Sequence, residues 1–198
     1  MLVFLDHQHN GQQKNWKSCG AVSPEGIQEI WLTEKYIHHA KWRLKKHGIE
    51  VCVLSDGLYW ERHERVNRYA TTDPHCVYIA CHVNAGGKNA NYTAAFYDHR
   101  SSKGEILAKC INDRLQMRVP QFSNPRDTRE IKAEPDNWTK NALYCIKGVA
   151  PVAICWEPFF IDSKHHKDFL KEDGLRLLGE CLADGIKTYF TDRDWETI

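Results

Sequence analysis

Short apolar runs alternate along the chain with longer segments in which apolar residues recur every three or four positions. Residues 2–6 (LVFLD) form the first run. Ile27, Ile30, Thr33, Ile37, Ala40 and Leu44 then recur at helical spacing up to Gly48, which predicts an amphipathic helix ending there. Ser23 suits its N-cap, and Pro24 and Glu25 suit its first turn. Residues 50–54 (EVCVL) predict a strand, 58–70 a helix, 76–81 (CVYIAC) a strand, 92–97 (YTAAFY) a strand and 101–117 a helix. Residues 120–136 are polar and carry Pro120, Pro125 and Pro135, so they read as a long functional loop. Residues 143–146 and 152–156 predict two further strands, and 173–190 a closing amphipathic helix. Strand–helix alternation of this kind implies an α/β fold: a mostly parallel, twisted sheet flanked by helices. No repeat, low-complexity tract or linker divides residues 1–198, so one domain is expected.

Composition narrows the function classes more than the fold. A formal net charge of +1 gives no broad electrostatic hold on nucleic acid. No run approaches the roughly 18 apolar residues that mark a membrane span. The opening MLVFLDHQ has no basic stretch ahead of its apolar run, so synthesis in the cytoplasm without a signal peptide is expected. The chain has 8 cysteines, and Cys52, Cys76, Cys81, Cys145 and Cys155 lie in or beside apolar runs, so they read as buried, reduced thiols rather than a disulfide framework. No pair has Cys-x-x-Cys spacing. Nothing in the sequence bears on oligomeric state.

In an open parallel sheet, ligands bind beyond the carboxyl ends of the strands. The polar residues that follow each strand are therefore the candidates. Asp6, His7, His9 and Asn10 follow the first, His82 and Asn84 follow the strand 76–81, and Glu157 follows the strand 152–156. Helix starts lie at the same edge, which brings in Glu25 and Glu29. Two histidines and a carboxylate are a frequent catalytic zinc set that leaves one position for water. A further carboxylate can take and return protons. This inventory points to metal-assisted hydrolysis.

The motifs around these residues resemble those of the zinc-dependent N-acetylmuramoyl-L-alanine amidases, a catalytic-domain family shared by bacterial cell-wall amidases and phage endolysins. The family opens on a pattern like D-P-G-H-G-G, where this chain reads Asp6-His7-Gln8-His9-Asn10-Gly11. Its second histidine lies in S-I-H-x-N-A, here Ala80-Cys81-His82-Val83-Asn84-Ala85. An arginine-containing helix precedes that strand, comparable with Arg65-Val66-Asn67-Arg68-Tyr69-Ala70. Near the end the family has P-A, two hydrophobic residues, then V-E-x-G-F, here Pro151-Val152-Ala153-Ile154-Cys155-Trp156-Glu157-Pro158-Phe159-Phe160. The resemblance covers nearly the whole chain in order. It implies one Zn2+ ion held by His9, Glu29 and His82, with Glu157 as the catalytic carboxylate. Asn84 reads first as a turn asparagine, with substrate contact as the alternative. The implied substrate is bacterial peptidoglycan, cut at the amide joining N-acetylmuramic acid to the L-Ala of the stem peptide, with a phage lysin as one setting. A separate cell-wall-binding domain is not expected.

Two ligand positions have rivals. His7-Gln8 replaces the family's Pro-Gly, and His7 would share a face with His9 if the strand continued; motif position favours His9. Glu25, Glu29 and Glu34 all lie near the helix start. Glu29 borders the apolar face of Ile30, Ile37 and Leu44, whereas Glu34 lies about 7.5 Å further along the axis, so helix geometry favours Glu29. The paired histidines His38/His39 and His165/His166 read as surface residues, because adjacent helical residues do not face one another. Trp138 could line a glycan groove. Two other classes remain: a cysteine hydrolase built on Cys81 or Cys155, and a non-catalytic glycan-binding module on the same fold.

Overall fold

The computed structural model describes residues 1–9, 19–133 and 144–192. Strand β1 (Leu2–His7) leads to helix α1 (Glu29–Lys46), then β2 (Glu50–Leu54), α2 (Tyr59–Ala70), β3 (Cys76–Cys81), β4 (Thr93–Asp98), α3 (Ser102–Arg118), β5 (Thr128–Ala133), β6 (Val152–Glu157) and α4 (Glu172–Thr191). The six strands form one sheet in the order β2-β1-β3-β6-β4-β5. β2, β1, β3 and β6 run parallel, β4 pairs antiparallel with β6, and β5 runs parallel to β4. The sheet is thus mostly parallel, with one reversed edge pair. No helix among the described residues is long and apolar enough to cross a membrane.

Alternation along the strands splits the core into two layers. Val3, Leu5, Val77, Ile79, Ile154 and Trp156 pack beneath α1, α3 and α4. Leu2, Phe4, Tyr78, Ala80, Ala153 and Cys155 face the other way, against Val66 of α2 and the turn carrying Cys145 and Ile146. Each strand of the parallel part is therefore apolar on both faces, which explains why residues 76–81 read as an unbroken run. The same alternation decides where the polar exit residues point. His7 continues the α1 side, while Asp6 continues the α2 side together with Leu2 and Phe4.

The structure departs from the sequence expectation in three places. Helix α1 begins at Glu29, not near Pro24, because Ser23 spends its hydroxyl on a turn, accepting from the backbone N–H groups of Glu25 and Ile27 at 3.1 Å. Val22 then bridges to Gln28 before the helix starts. The C-terminus falls where expected: Gly48 takes φ +72°, and Ile49 N–H bonds the Leu44 carbonyl at 3.1 Å. Residues 120–133 are not an open loop. Two single-turn 3-10 segments, Pro120–Phe122 and Pro125–Asp127, lead into β5, an edge strand. Its polar residues are held by α3: Asn112 donates to Glu130 at 2.7 Å, and Gln116 donates to Thr128. Of the predicted strand 143–146, the described residues 144–146 belong instead to a turn over 144–148. Its apolar character comes from Cys145 and Ile146 plugging the α2-side layer. Residues 10, 134–136, 138 and 143, and with them Asn10, Pro135 and Trp138, lie outside the described residues.

Candidate active site

The carboxyl ends of β1, β3 and β6 meet the first turn of α1 at one edge of the sheet. β1 ends at His7, so the chain does not carry His9 onward in register. It turns instead, and His9 takes φ +63°, the one non-glycine residue with positive φ among those described. That backbone costs an L-residue about 1–2 kcal/mol, a strain that turns often store where a side chain must be aimed. It swings the His9 imidazole to Glu29, with Nε2 3.4 Å from Oε1.

Glu29 is the hub. Its Oε1 accepts from His82 Nδ1 at 3.1 Å and from the Val83 backbone N–H at 2.9 Å, while Oε2 accepts from Ala21 N–H at 2.8 Å. Burial alone would raise its carboxyl, but hydrogen bonds and charge from His82 and His9 outweigh burial and hold it well below the usual carboxylate range. Gly20 makes room for this: a Cβ at that residue would stand 2.4 Å from Glu29 Oε2. The ligand-type atoms of His9, Glu29 and His82 all lie within 4.8 Å of one another. His82 is fixed from behind by its own backbone, with its N–H on the Trp156 carbonyl at 3.0 Å and its carbonyl accepting from Tyr36 Oη–H at 2.9 Å.

Glu157 ends β6, on the sheet face that Cys155 also occupies. Its Oε2 is buried without a hydrogen-bond partner among the described residues. Burial pushes its carboxyl up to about 8, against the pull of His82 and with the repulsion of Glu29 and Cys145. A buried, unsatisfied carboxylate oxygen within electrostatic reach of a histidine and a second carboxylate is costly as structure alone, and it is what a proton-transfer group requires. The set of two imidazoles and one carboxylate fits a divalent cation of borderline hardness.

Residues 3–188 match the family described as N-acetylmuramoyl-L-alanine amidase. The chain belongs to this family. It is accordingly an amidase, and its family acts on peptidoglycan. No curated protein sequence matches the chain. Among solved structures, the amidase AmiC2 of Nostoc punctiforme aligns at a TM-score of 0.74 and 19% identity, over 96% of this chain and 97% of that one. An amidase from Clostridium difficile 630 aligns at 0.73 and 20%, over 96% of each chain. The catalytic domain of CwlV from Bacillus (Paenibacillus) polymyxa var. colistinus aligns at 0.68 and 21%, over 96% and 98%. These likenesses are likenesses of fold.

The other sequence candidates of the amidase fall elsewhere. His7 points to the α1 side, where its Nε2 bonds the Ile30 carbonyl at 2.8 Å. Glu25 is exposed and lies 3.9 Å from Lys167 Nζ; Glu34 is exposed on α1. Asn84 splices two loops: its N–H bonds the Phe159 carbonyl at 2.9 Å, its carbonyl accepts from Ile161 N–H at 2.8 Å, and Oδ1 accepts from Ala85 N–H at 2.8 Å. The reading of His166 as a surface residue is overturned. It is 1% exposed, ringed by Phe122, Phe159, Phe160 and Phe169, and its Nδ1 accepts from Phe160 N–H at 2.9 Å. Its neighbour His165 is exposed, as is His38, while His39 bonds Glu172 at 2.8 Å. Cys81 and Cys155 are buried, and burial pushes the Cys81 thiol well up, which suits neither to nucleophilic attack.

Sequence reasoning missed Arg62. Arg65 and Arg68, the arginines matched by motif, are exposed and pair with Asp56 and Glu64. Arg62 is buried and donates to Asp6 Oδ1 at 2.6 Å and to the His7 carbonyl at 3.1 Å. Tyr78 Oη–H donates to the other Asp6 oxygen, and Gln8 Nε2 donates to Tyr78 Oη at 3.3 Å. This network clamps the exit of β1 one residue before the turn that carries His9. The available signal was Arg62 lying one helical turn before the buried Val66, opposite an aspartate at a strand end.

Proposed function

We propose that the protein is a zinc-dependent peptidoglycan amidase that cleaves the amide between N-acetylmuramic acid and the L-Ala of the stem peptide. His9, Glu29 and His82 would hold the ion, and Glu157 would move the proton. The observation that carries this reading is the convergence of those three side chains on one small volume, with the unpartnered Glu157 carboxylate within electrostatic reach of His82 and Glu29. A divalent cation held there supplies Lewis acidity toward the scissile carbonyl and the attacking water. Glu157, kept from full solvation by burial, takes a proton from that water and delivers it to the departing amine nitrogen, which is a poor leaving group until protonated. Its carboxyl, raised toward 8, is a strong enough base to accept that proton and a strong enough acid to return it. The strained His9 turn, the Arg62–Asp6 clamp behind it and the Glu29 contacts to Ala21 and Val83 hold the ligand set in place before substrate arrives. Asn84, whose Oδ1 is engaged by Ala85 N–H, contacts substrate through its amide nitrogen in this reading.

A lytic role, as in a phage lysin, belongs to the same proposal: added to bacterial walls, the protein clears their turbidity, and a chelator stops the clearing. The decisive experiment is digestion of purified peptidoglycan with and without chelator, followed by identification of the new ends. Free L-Ala amino groups and intact muramic acid, lost on chelation and restored by zinc, support the proposal. Digestion indifferent to chelator but blocked by a thiol reagent returns the cysteine hydrolase. Binding without any release of peptide returns the glycan-binding module.

A further inference from the structure

A second cluster of metal-ligating atoms lies next to the first. Cys145 comes from the turn at residues 144–148, Cys155 from β6, and both belong to the α2-side layer. The two thiols and a ring nitrogen of His82 all lie within 4.8 Å of one another. In a tetrahedral zinc-type site, with bonds of about 2.3 Å to sulfur and about 2.0–2.1 Å to nitrogen, ligand atoms stand roughly 3.5–3.8 Å apart. A contraction of about 1.3 Å or less therefore closes this set on a cation. Cys145 and Cys155 are buried, His82 is half-buried, and none of the eight cysteines is in a disulfide, so neither sulfur is tied up in an S–S bond. A sulfur pair meeting the edge of a histidine places the atoms of a Cys2His half-cage in an otherwise apolar layer.

We propose that Cys145, Cys155 and His82 form a second, soft-cation site that shares His82 with the His9–Glu29–His82 set. Two thiolates and an imidazole select soft or borderline ions such as Cd2+ or Zn2+ over hard ones, whereas the carboxylate-containing set favours the harder end of that range. Binding replaces two thiol protons, which are released to solvent. A neutral imidazole has one lone pair to give, so a cation on the thiols takes His82 away from the other set. A soft cation at this site thus competes with hydrolysis. The site stands apart from the hydrolytic reading; only the competition rests on it.

The test is titration of the full-length, metal-stripped protein with Cd2+, followed by the thiolate-to-cadmium charge-transfer absorbance in the ultraviolet. The wild type is expected to develop the band, saturating at one Cd2+ per chain. Glu29→Ala, which removes a ligand of the carboxylate set and leaves Cys145, Cys155 and His82 in the chain, keeps the band. The pair Cys145→Ala/Cys155→Ala loses it. A wild type without the band, or a double variant with the same band and stoichiometry, overturns the proposal. Should the double variant fail to fold, 113Cd NMR on the wild type decides: a shift characteristic of two sulfur ligands upholds the site, and a nitrogen/oxygen shift rejects it. Peptidoglycan hydrolysis by the zinc-loaded wild type is read separately. Its absence would end the hydrolytic proposal while leaving the cadmium result standing.

Discussion

Gly20→Ala tests whether the Glu29 carboxylate is held in a built position. The new methyl would stand 2.4 Å from Oε2, 2.8 Å from Cδ and 2.9 Å from Cβ of Glu29. Relieving the shortest of these to an ordinary contact of 3.4 Å moves the carboxylate by about 1 Å. That shift breaks the 2.8 Å bond from Ala21 N–H and strains the two donors on Oε1. Loss of the groups that orient a metal ligand typically lowers affinity about 10–100-fold, or roughly 1.4–2.7 kcal/mol. Gly20 also has φ +71°, so alanine there carries a backbone cost of about 1–2 kcal/mol irrespective of the clash. Gly48→Ala separates the two effects. It has φ +72° and nothing within 4 Å of the new methyl. Both variants should lose similar stability in thermal unfolding of the metal-free protein, apart from the clash term. Only Gly20→Ala should weaken zinc, measured as Kd by competition with a chelating dye. Equal zinc affinity in the two variants would refute the placement of Glu29 in the ligand set.

Glu157→Gln should keep zinc, read by metal analysis, and lose about 10²–10⁴-fold in kcat/KM, the usual reach of a positioned acid–base group; near-wild-type turnover would remove Glu157 from the chemistry. Burial raises the Glu157 carboxyl to about 8, so it is protonated below that value and ionised above it. A base must be ionised, so kcat/KM should fall as pH drops. A bound cation favours the ionised form and moves that acid limb below 8, and the limb should vanish from the residual activity of Glu157→Gln. Arg62→Met leaves Asp6 buried without its cation and should cost roughly 3–5 kcal/mol in denaturant unfolding; a loss under 1 kcal/mol would mean the clamp is not structural. Cys81→Ala should leave hydrolysis intact, and its inactivation would revive the cysteine mechanism.

The parallel core was legible because its strands carry apolar residues on both faces: residues 50–54 are the bounds of β2, an edge strand, and 76–81 those of the fully buried β3. The rim was legible for the same reason, since polarity begins where such strands stop. That logic put His9, Glu29, His82 and Glu157 on a longer list with Asp6, His7, Asn10, Glu25 and Asn84, and the resemblance to the amidases together with helix geometry narrowed it. What it missed was set by tertiary packing. β5 is an edge strand whose polar residues are satisfied by Asn112 and Gln116 of α3, so it carries no apolar period. Cys145 and Ile146 look like a strand because they fill a layer, and layer filling asks only for apolarity. His166 looks like surface beside exposed His165 until the four phenylalanines around it are known. The turn that frees His9 from the β1 register, and the space that Gly20 leaves for Glu29, are backbone facts with no periodic signature.

The central claim is that one divalent ion sits among His9, Glu29 and His82. Zinc K-edge X-ray absorption on the protein loaded with a single equivalent tests it most directly. Only nitrogen and oxygen neighbours at about 2.0–2.2 Å are expected. Sulfur at about 2.3 Å would contradict it, by placing the ion on Cys145 and Cys155.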